Sequence, residues 1–207
     1  IEPIKELVAI AHEHHILFHT DAVQCFGQIP IDVEELQVDL LSASAHKIYG
    51  PKGAGCLFIR NSVKIHSLLS GGSQERNRRA GTENIAAIVG FGKAAEIAKK
   101  TMQERMNQEQ MLRDYFISHV LGEIAQTSLN GATKADRLPN NCNIAFAYME
   151  AESVLIMLDM ERICASAGSA CTTGSIEPSH VLLATGQSEE EVRSALRFTI
   201  SDTTTKE

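Results

Sequence analysis

Nothing in this 207-residue chain offers an electrostatic field to a polyanion: 19 Lys and Arg stand against 26 Asp and Glu, a net charge of −7. Nucleic acids and anionic membrane surfaces are bound through basic patches. The nearest thing to one, Arg76 with Arg78 and Arg79, is too short to set a field. Also lacking is any apolar run of the roughly 18–20 residues needed to cross a bilayer. No two cysteines stand as C-x-x-C, which argues against a zinc site. Five cysteines, an odd number without small-scaffold spacing, fit a reducing compartment such as the cytoplasm better than a disulfide framework. Four of them, Cys25, Cys56, Cys142 and Cys164, sit among apolar neighbours and read as small buried hydrophobes. The chain opens at Ile1 and not at Met, which reads as a removed start, so the missing signal peptide excludes little. No internal repeat or low-complexity segment is present.

What is there is the composition of a globular protein, 43% hydrophobic and 22% charged, arranged as alternating strand and helix patterns. Pro3 to His14 reads as a helix, with Ile4, Leu7, Val8 and Ala11 at helical spacing and Pro3 near the start. The mostly apolar run from Ile16 to Asp21 reads as a buried strand. A short helix around Asp32 to Leu36 leads to a second strand, Val38 to Ser44, and Gly55 to Arg60 is a third. Such alternation predicts an α/β fold with a mainly parallel sheet. Ligands of such sheets bind at the carboxyl ends of strands, where Asp21 and the stretch Ser44 to Lys47 fall. Gly71 to Asn84 is a polar, Gly-rich loop. Helices are expected from Ile85 to about Lys100 and from about Gln103 to Leu121. Composition changes there, placing a domain boundary near residue 104, with a large domain over 1–104 and a small α+β domain over 105–207. In the latter, strands are expected at Asn143 to Tyr148, Arg162 to Ala165 and Ala195 to Ser201. Helices are expected at Glu152 to Leu158 and Glu177 to Ala184, with a loop of small residues from Ala167 to Ser175. The ending after Ser201 reads as a break in mid-element.

Chemistry concentrates in two places. Ser44, His46 and Lys47 end a strand and precede the turn Tyr49 to Gly53. A lysine amine there can form a Schiff base with a phosphorylated aldehyde cofactor, while the neighbouring hydroxyl and imidazole donate to its phosphate. The bland alternative is a surface lysine at a strand end. Asp21 weighs against it, because a carboxylate closing an apolar strand is costly unless paired. A pyridinium nitrogen is such a partner, Gln24 one turn on could hydrogen-bond a ring hydroxyl, and a simple helix N-cap is the other use for Asp21.

The second place is Cys171, set among small residues between Ala167 and Gly174. A thiol on a movable loop suits a transfer nucleophile, with a thiolate tuned by nearby donors. A structural cysteine in a Gly/Ser turn is the alternative. Arg197 lies in the otherwise apolar run Ala195 to Ile200, where a buried charge demands a partner: a bidentate substrate carboxylate, or an internal Asp or Glu.

Four stretches, His19 to Gln24, Ser42 to Gly53, Gly71 to Asn84 and Gly168 to His180, together closely resemble the NifS/IscS-type cysteine desulfurases, members of the class V aminotransferases among the fold-type I pyridoxal-phosphate (PLP) enzymes. The similarity runs over essentially the whole chain with its motifs in the family's order. It implies that Lys47 carries the cofactor, Asp21 pairs the pyridine nitrogen, Gln24 contacts the ring oxygen, and Ser44 and His46 bind the phosphate. It implies that Thr82 reaches the phosphate of a second subunit, hence a homodimer. Arg197 then holds the carboxylate of L-cysteine, and Cys171 takes its sulfur as a persulfide, leaving alanine. A sulfur-acceptor or iron–sulfur scaffold protein would be the onward partner. The chain departs from the family in lacking its N-terminal part and the last helices of the small domain, in Arg193 where a histidine is expected, and in Ser201-Asp-Thr203 for a commoner Ser-Arg-containing run. A selenocysteine lyase-like enzyme and a non-catalytic scaffold fragment are the competing expectations.

Overall fold

The computed structural model describes residues 1–132, 136–167 and 178–206. Contacts divide the chain into two units, Glu2–Gln103 and Glu104–Glu207, the latter together with Ile1.

The first unit holds a three-stranded sheet in the order β1 (His19–Asp21), β2 (Leu40–Ser44), β3 (Gly55–Ile59). β1 and β2 run parallel, as the alternation predicts, whereas β3 joins β2 antiparallel. Helix α1 (Ile4–Glu13) starts just after Pro3, whose fixed φ suits a helix entry. The short helix α2 (Val33–Leu36) is capped by Asp32, whose side chain accepts from the amides of Glu34 and Glu35. Val8, Val38, Leu41, Ala43, Ala45 and Ile48 form the core with Phe91, Ala94 and Ala98 from a long helix. Period-two burial along β2, which buries Leu41 and Ala43, puts Ser42 and Ser44 on the other face.

Two charged residues tie the frame. Asp39, only 5% exposed, accepts from the Phe18 amide at 2.8 Å and contacts His12 Nε2 at 2.8 Å. Burial pushes its carboxyl up, but those two hydrogen bonds and the nearby His12 and Arg60 charges hold it below the usual carboxylate range. Arg60 donates to the carbonyls of Val38 and Val33 at 3.0 and 2.7 Å, and to Glu34 at 2.9 Å.

Several expectations are corrected here. The strand read from Ile16 is three residues long and begins at His19, with Ile16 and Leu17 each 59% exposed. The polar loop after Gly71 contains one turn, α3 (Gln74–Asn77), in which Glu75 and Arg76 are left-handed. Two helices were expected between Ile85 and Leu121; a single helix, α4 (Ile85–Glu123), runs through both. No Gly or Pro interrupts residues 99–103, so the change in composition there gives the backbone no reason to stop.

In the second unit a four-stranded antiparallel sheet takes the order β4 (Thr127–Leu129), β5 (Asn141–Phe146), β7 (Ala195–Thr199), β6 (Ser166–Ala167). Ile144, Phe146 and Leu196 pack with Phe116 and Val120 of α4 and with Val154, Leu155 and Leu158 of α5 (Ala151–Met160). Two short helices, α6 (His180–Ala184) and α7 (Glu189–Arg193), precede β7. The strand expected at Arg162 to Ala165 lies further on, at Ser166–Ala167, where Ser166 pairs with Arg197. The loop of small residues carrying Cys171 lies outside the described residues from position 168 on, as does the start expected for α6 at Glu177.

Candidate active site

Because β1 and β2 are parallel, their carboxyl ends share one edge of the sheet, and the register sets Asp21 beside Ser42. There the chain leaves β2 through Ser44, still extended, into a 3-10 turn over Ala45–Ile48. Residues three apart eclipse in such a turn. Ala45 and Ile48 are buried in the core, while His46 is exposed and Lys47 half-buried. Tyr49, at φ 63, reverses the chain so that the Gly50 amide returns to the Ala45 carbonyl at 2.9 Å. A Cβ on Gly50 would stand 2.9 Å from that same oxygen, so the turn requires glycine.

The polar groups on this edge are arranged in pairs. Ser44 Oγ and His46 Nδ1 lie 2.7 Å apart, and His19 Nε2 lies 2.8 Å from Ser42 Oγ. Asp21 is exposed, which corrects the expectation of a buried carboxylate: β1 is too short to enclose its last residue. One carboxylate oxygen accepts from the Val23 amide at 2.9 Å, fixing the turn that follows. Among the described residues neither Asp21 nor Lys47 forms an ion pair. Gln24 is exposed on the turn after Asp21. An acid, an amine, and hydroxyl and imidazole groups able to donate suit a pyridine nitrogen, an aldehyde and a phosphate respectively, so these residues fit PLP.

Thr82 is exposed, and no hydrogen bond joins it to this group; its carbonyl accepts from Arg79 at 3.3 Å. A cavity of about 700 Å³ beside β3 is lined by Cys56, Arg76, Arg78, Arg79, Asn84 and Phe91 among others, and includes neither Asp21 nor Lys47.

Arg197 belongs to the second unit. It sits mid-β7, half-buried, opposite Asn143 and Ser166. One guanidinium nitrogen donates to Ser166 Oγ at 3.4 Å, while its buried Nε finds no acceptor among the described residues. No carboxylate among the described residues pairs with it.

The cysteines divide differently from their sequence surroundings. Cys142 is fully buried, and burial pushes its thiol up to about 11. Cys56 and Cys164 are exposed and Cys25 is half-buried, so only one of the four matches the reading as buried hydrophobes. Missed entirely were Arg105, Glu109 and Arg113, all but fully buried on one face of α4. Their spacing of four was the available signal, because it sets them on the same stripe as the apolar Leu112 and Phe116.

Comparison with known proteins gives one consistent answer. The family described as Aminotransferase class-V matches residues 1–207. The chain is 55% identical over its full length to the cysteine desulfurase IscS of Dictyoglomus turgidum, of which it covers 52%. A NifS-like protein from Rickettsia africae superposes with a TM-score of 0.87 at 33% identity, over 98% of this chain and 53% of that one. The structure described as SspA in complex with cysteine does so with a TM-score of 0.73, also at 33% identity, over 97% of this chain and 55% of that one. The chain thus spans about half the length of the curated relatives it matches.

Proposed function

The chain belongs to the aminotransferase class-V family, and from that premise we propose that it carries the cofactor-holding lysine and the sulfur-accepting cysteine of a PLP-dependent cysteine desulfurase working in the cytoplasm. The observation that carries the proposal is the shared edge of β1 and β2. Asp21, Ser44, His46 and Lys47 gather there on short, well-anchored turns, and among the described residues neither the acid nor the amine is spent on an ion pair. The names of the relatives and the cysteine bound by SspA point the same way.

The Lys47 amine would be the group that bonds the cofactor's aldehyde. Asp21 would hold a proton on the ring nitrogen with the carboxylate oxygen not engaged by Val23. Ser44 and His46 would form a donor relay toward the phosphate: one proton lies in their 2.7 Å contact, and the second, on Ser44 Oγ or on His46 Nε2 according to the tautomer, is the one donated. Gln24, on the turn begun by Asp21, donates to the ring oxygen. The bound cofactor supplies an electron sink next to the substrate's Cα. Arg197 clamps the substrate carboxylate, which gives its orphan Nε an acceptor. The Cys171 thiolate attacks the sulfur of L-cysteine: the new S–S bond forms as the substrate's C–S bond breaks. The electron pair of that bond goes to the substrate carbon, which gains a proton to become alanine. The persulfide then passes its outer sulfur to an acceptor or iron–sulfur scaffold protein. Thr82 serves the phosphate of a partner subunit in a homodimer.

The test is sulfide release from L-cysteine by the PLP-loaded protein and its Cys171→Ala variant. Loss of sulfide release with an unchanged visible cofactor band supports the proposal. Release that survives the substitution overturns the role of Cys171, and a protein that never acquires a visible band overturns the whole reading in favour of a scaffold fragment.

A further inference from the structure

Acid and amine in the candidate site stand on different elements, and one short segment links them. After Asp21 the chain turns, with the amides of Cys25 and Phe26 both returning to the Ala22 carbonyl at 2.9 and 2.7 Å. It then reaches Gly27 at φ 73, where an added Cβ would lie 2.6 Å from Ile48 Cγ2 and 3.2 Å from Ala98 Cβ. This close approach seats the segment directly on the 3-10 turn that bears Lys47. Gln28 follows, 6% exposed. Its amide nitrogen donates to the Lys47 carbonyl at 3.5 Å, and its buried amide oxygen has no hydrogen-bond partner among the described residues.

That orphan oxygen matters. A buried acceptor without a donor costs its desolvation, and an apolar side chain of the same length would fill the space without that cost. Packing alone therefore does not account for a carboxamide here; its contact with Lys47 does. The geometry points to Gln28 as a positioning residue. Its N–H holds the Lys47 carbonyl and so fixes the orientation of the Lys47 side chain relative to Asp21, seven residues upstream on the same segment. This inference rests on the reading of Lys47 as the cofactor lysine.

The test uses the PLP-loaded protein, Gln28→Met and Gly27→Ala. Three readouts apply: thermal midpoint, visible circular dichroism of the bound cofactor, and the rate of cofactor release into a PLP-free buffer. Gln28→Met keeps length and volume while removing both the donor and the orphan oxygen. Its expected result is an unchanged or raised thermal midpoint, an altered visible dichroic band, and cofactor release roughly 3- to 10-fold faster, the range expected for one modest hydrogen bond. A purely structural Gln28 predicts the reverse, a lowered midpoint with the band and release rate intact, and that result overturns the inference. Should Gln28→Met not fold, Gly27→Ala decides, since it pushes on Ile48 in the same turn. Faster release and an altered band support the inference; an unchanged band and rate overturn it. Absence of any visible band in the unsubstituted protein instead sinks the PLP reading itself.

Discussion

Glu109 gives the sharpest quantitative test of the electrostatics. It is 1% exposed on α4, and neither carboxylate oxygen has a hydrogen-bond partner among the described residues. Among the described residues it forms an ion pair with Arg105, whose Nε lies 3.9 Å away. Burial pushes the carboxyl from 4.5 up to about 7; Arg105 pulls it down and the Asp202 carboxylate pushes it up again. Desolvation therefore exceeds the attraction of the ion pair, and the fold favours the neutral acid. The sign follows from proton binding. Between pH 4.5 and about 7 the folded chain keeps a proton that the unfolded chain has lost, so stability falls as pH rises through that window. At about 1.4 kcal/mol per pH unit the interval is worth about 3 kcal/mol. Glu109→Gln removes this titration and leaves Arg105 without its carboxylate, which adds an offset that does not vary with pH. Urea denaturation of both proteins, followed by far-UV circular dichroism from pH 4 to pH 8, should show the variant gaining about 3 kcal/mol on the parent across that range. Parallel stability profiles would refute the reasoning.

Three further outcomes are expected. Asp39→Asn should lower stability by about 1–3 kcal/mol at pH 7, because the charged acceptor of the Phe18 amide is lost from a buried position. In the parent the Asp39 contribution is present above the ordinary carboxylate range and fades as pH falls through its lowered value, so the two proteins should converge in acid; a constant difference down to pH 2 contradicts this. Iodoacetamide under native conditions should label Cys56 and Cys164 but not Cys142, as peptide mass mapping will read, and labelling of Cys142 without unfolding contradicts its burial. Arg197→Lys should raise KM for L-cysteine by about ten- to a hundredfold through loss of the bidentate geometry, with the visible cofactor band unchanged; an unaltered KM removes Arg197 from substrate binding.

Much of this architecture is written locally. Pro3 and the apolar spacing of Ile4, Leu7, Val8 and Ala11 announce α1, and the run Val38 to Ser44 announces β2, which spans Leu40–Ser44 with its two serines on one face. Asp32, expected only as the start of a short helix, is its cap, where a short acidic side chain has two amides to satisfy. What misled was apolar content without a pattern: Ile16 and Leu17 look like strand core yet stand exposed. The long α4 was divided on composition although nothing chemical breaks it. The S-x-x-E of Ser188 to Glu191, a reciprocal capping box at the start of α7, was a readable signal passed over. At the candidate site, Asp21, Ser44, His46 and Lys47 were found by residue type at strand ends, and the structure brings them to one edge. Gln28 and Gly27 could not have been found that way, since their roles depend on a contact nineteen and twenty-one residues along the chain, with Lys47 and Ile48.

The measurement that bears most directly on all of this is where the cofactor attaches. Incubation with PLP, borohydride reduction and peptide mass mapping should place a phosphopyridoxyl group on Lys47, stoichiometrically, and not on Lys52 four residues beyond the same turn. A label spread over surface lysines, or one that leaves Lys47 unmodified, would contradict the account.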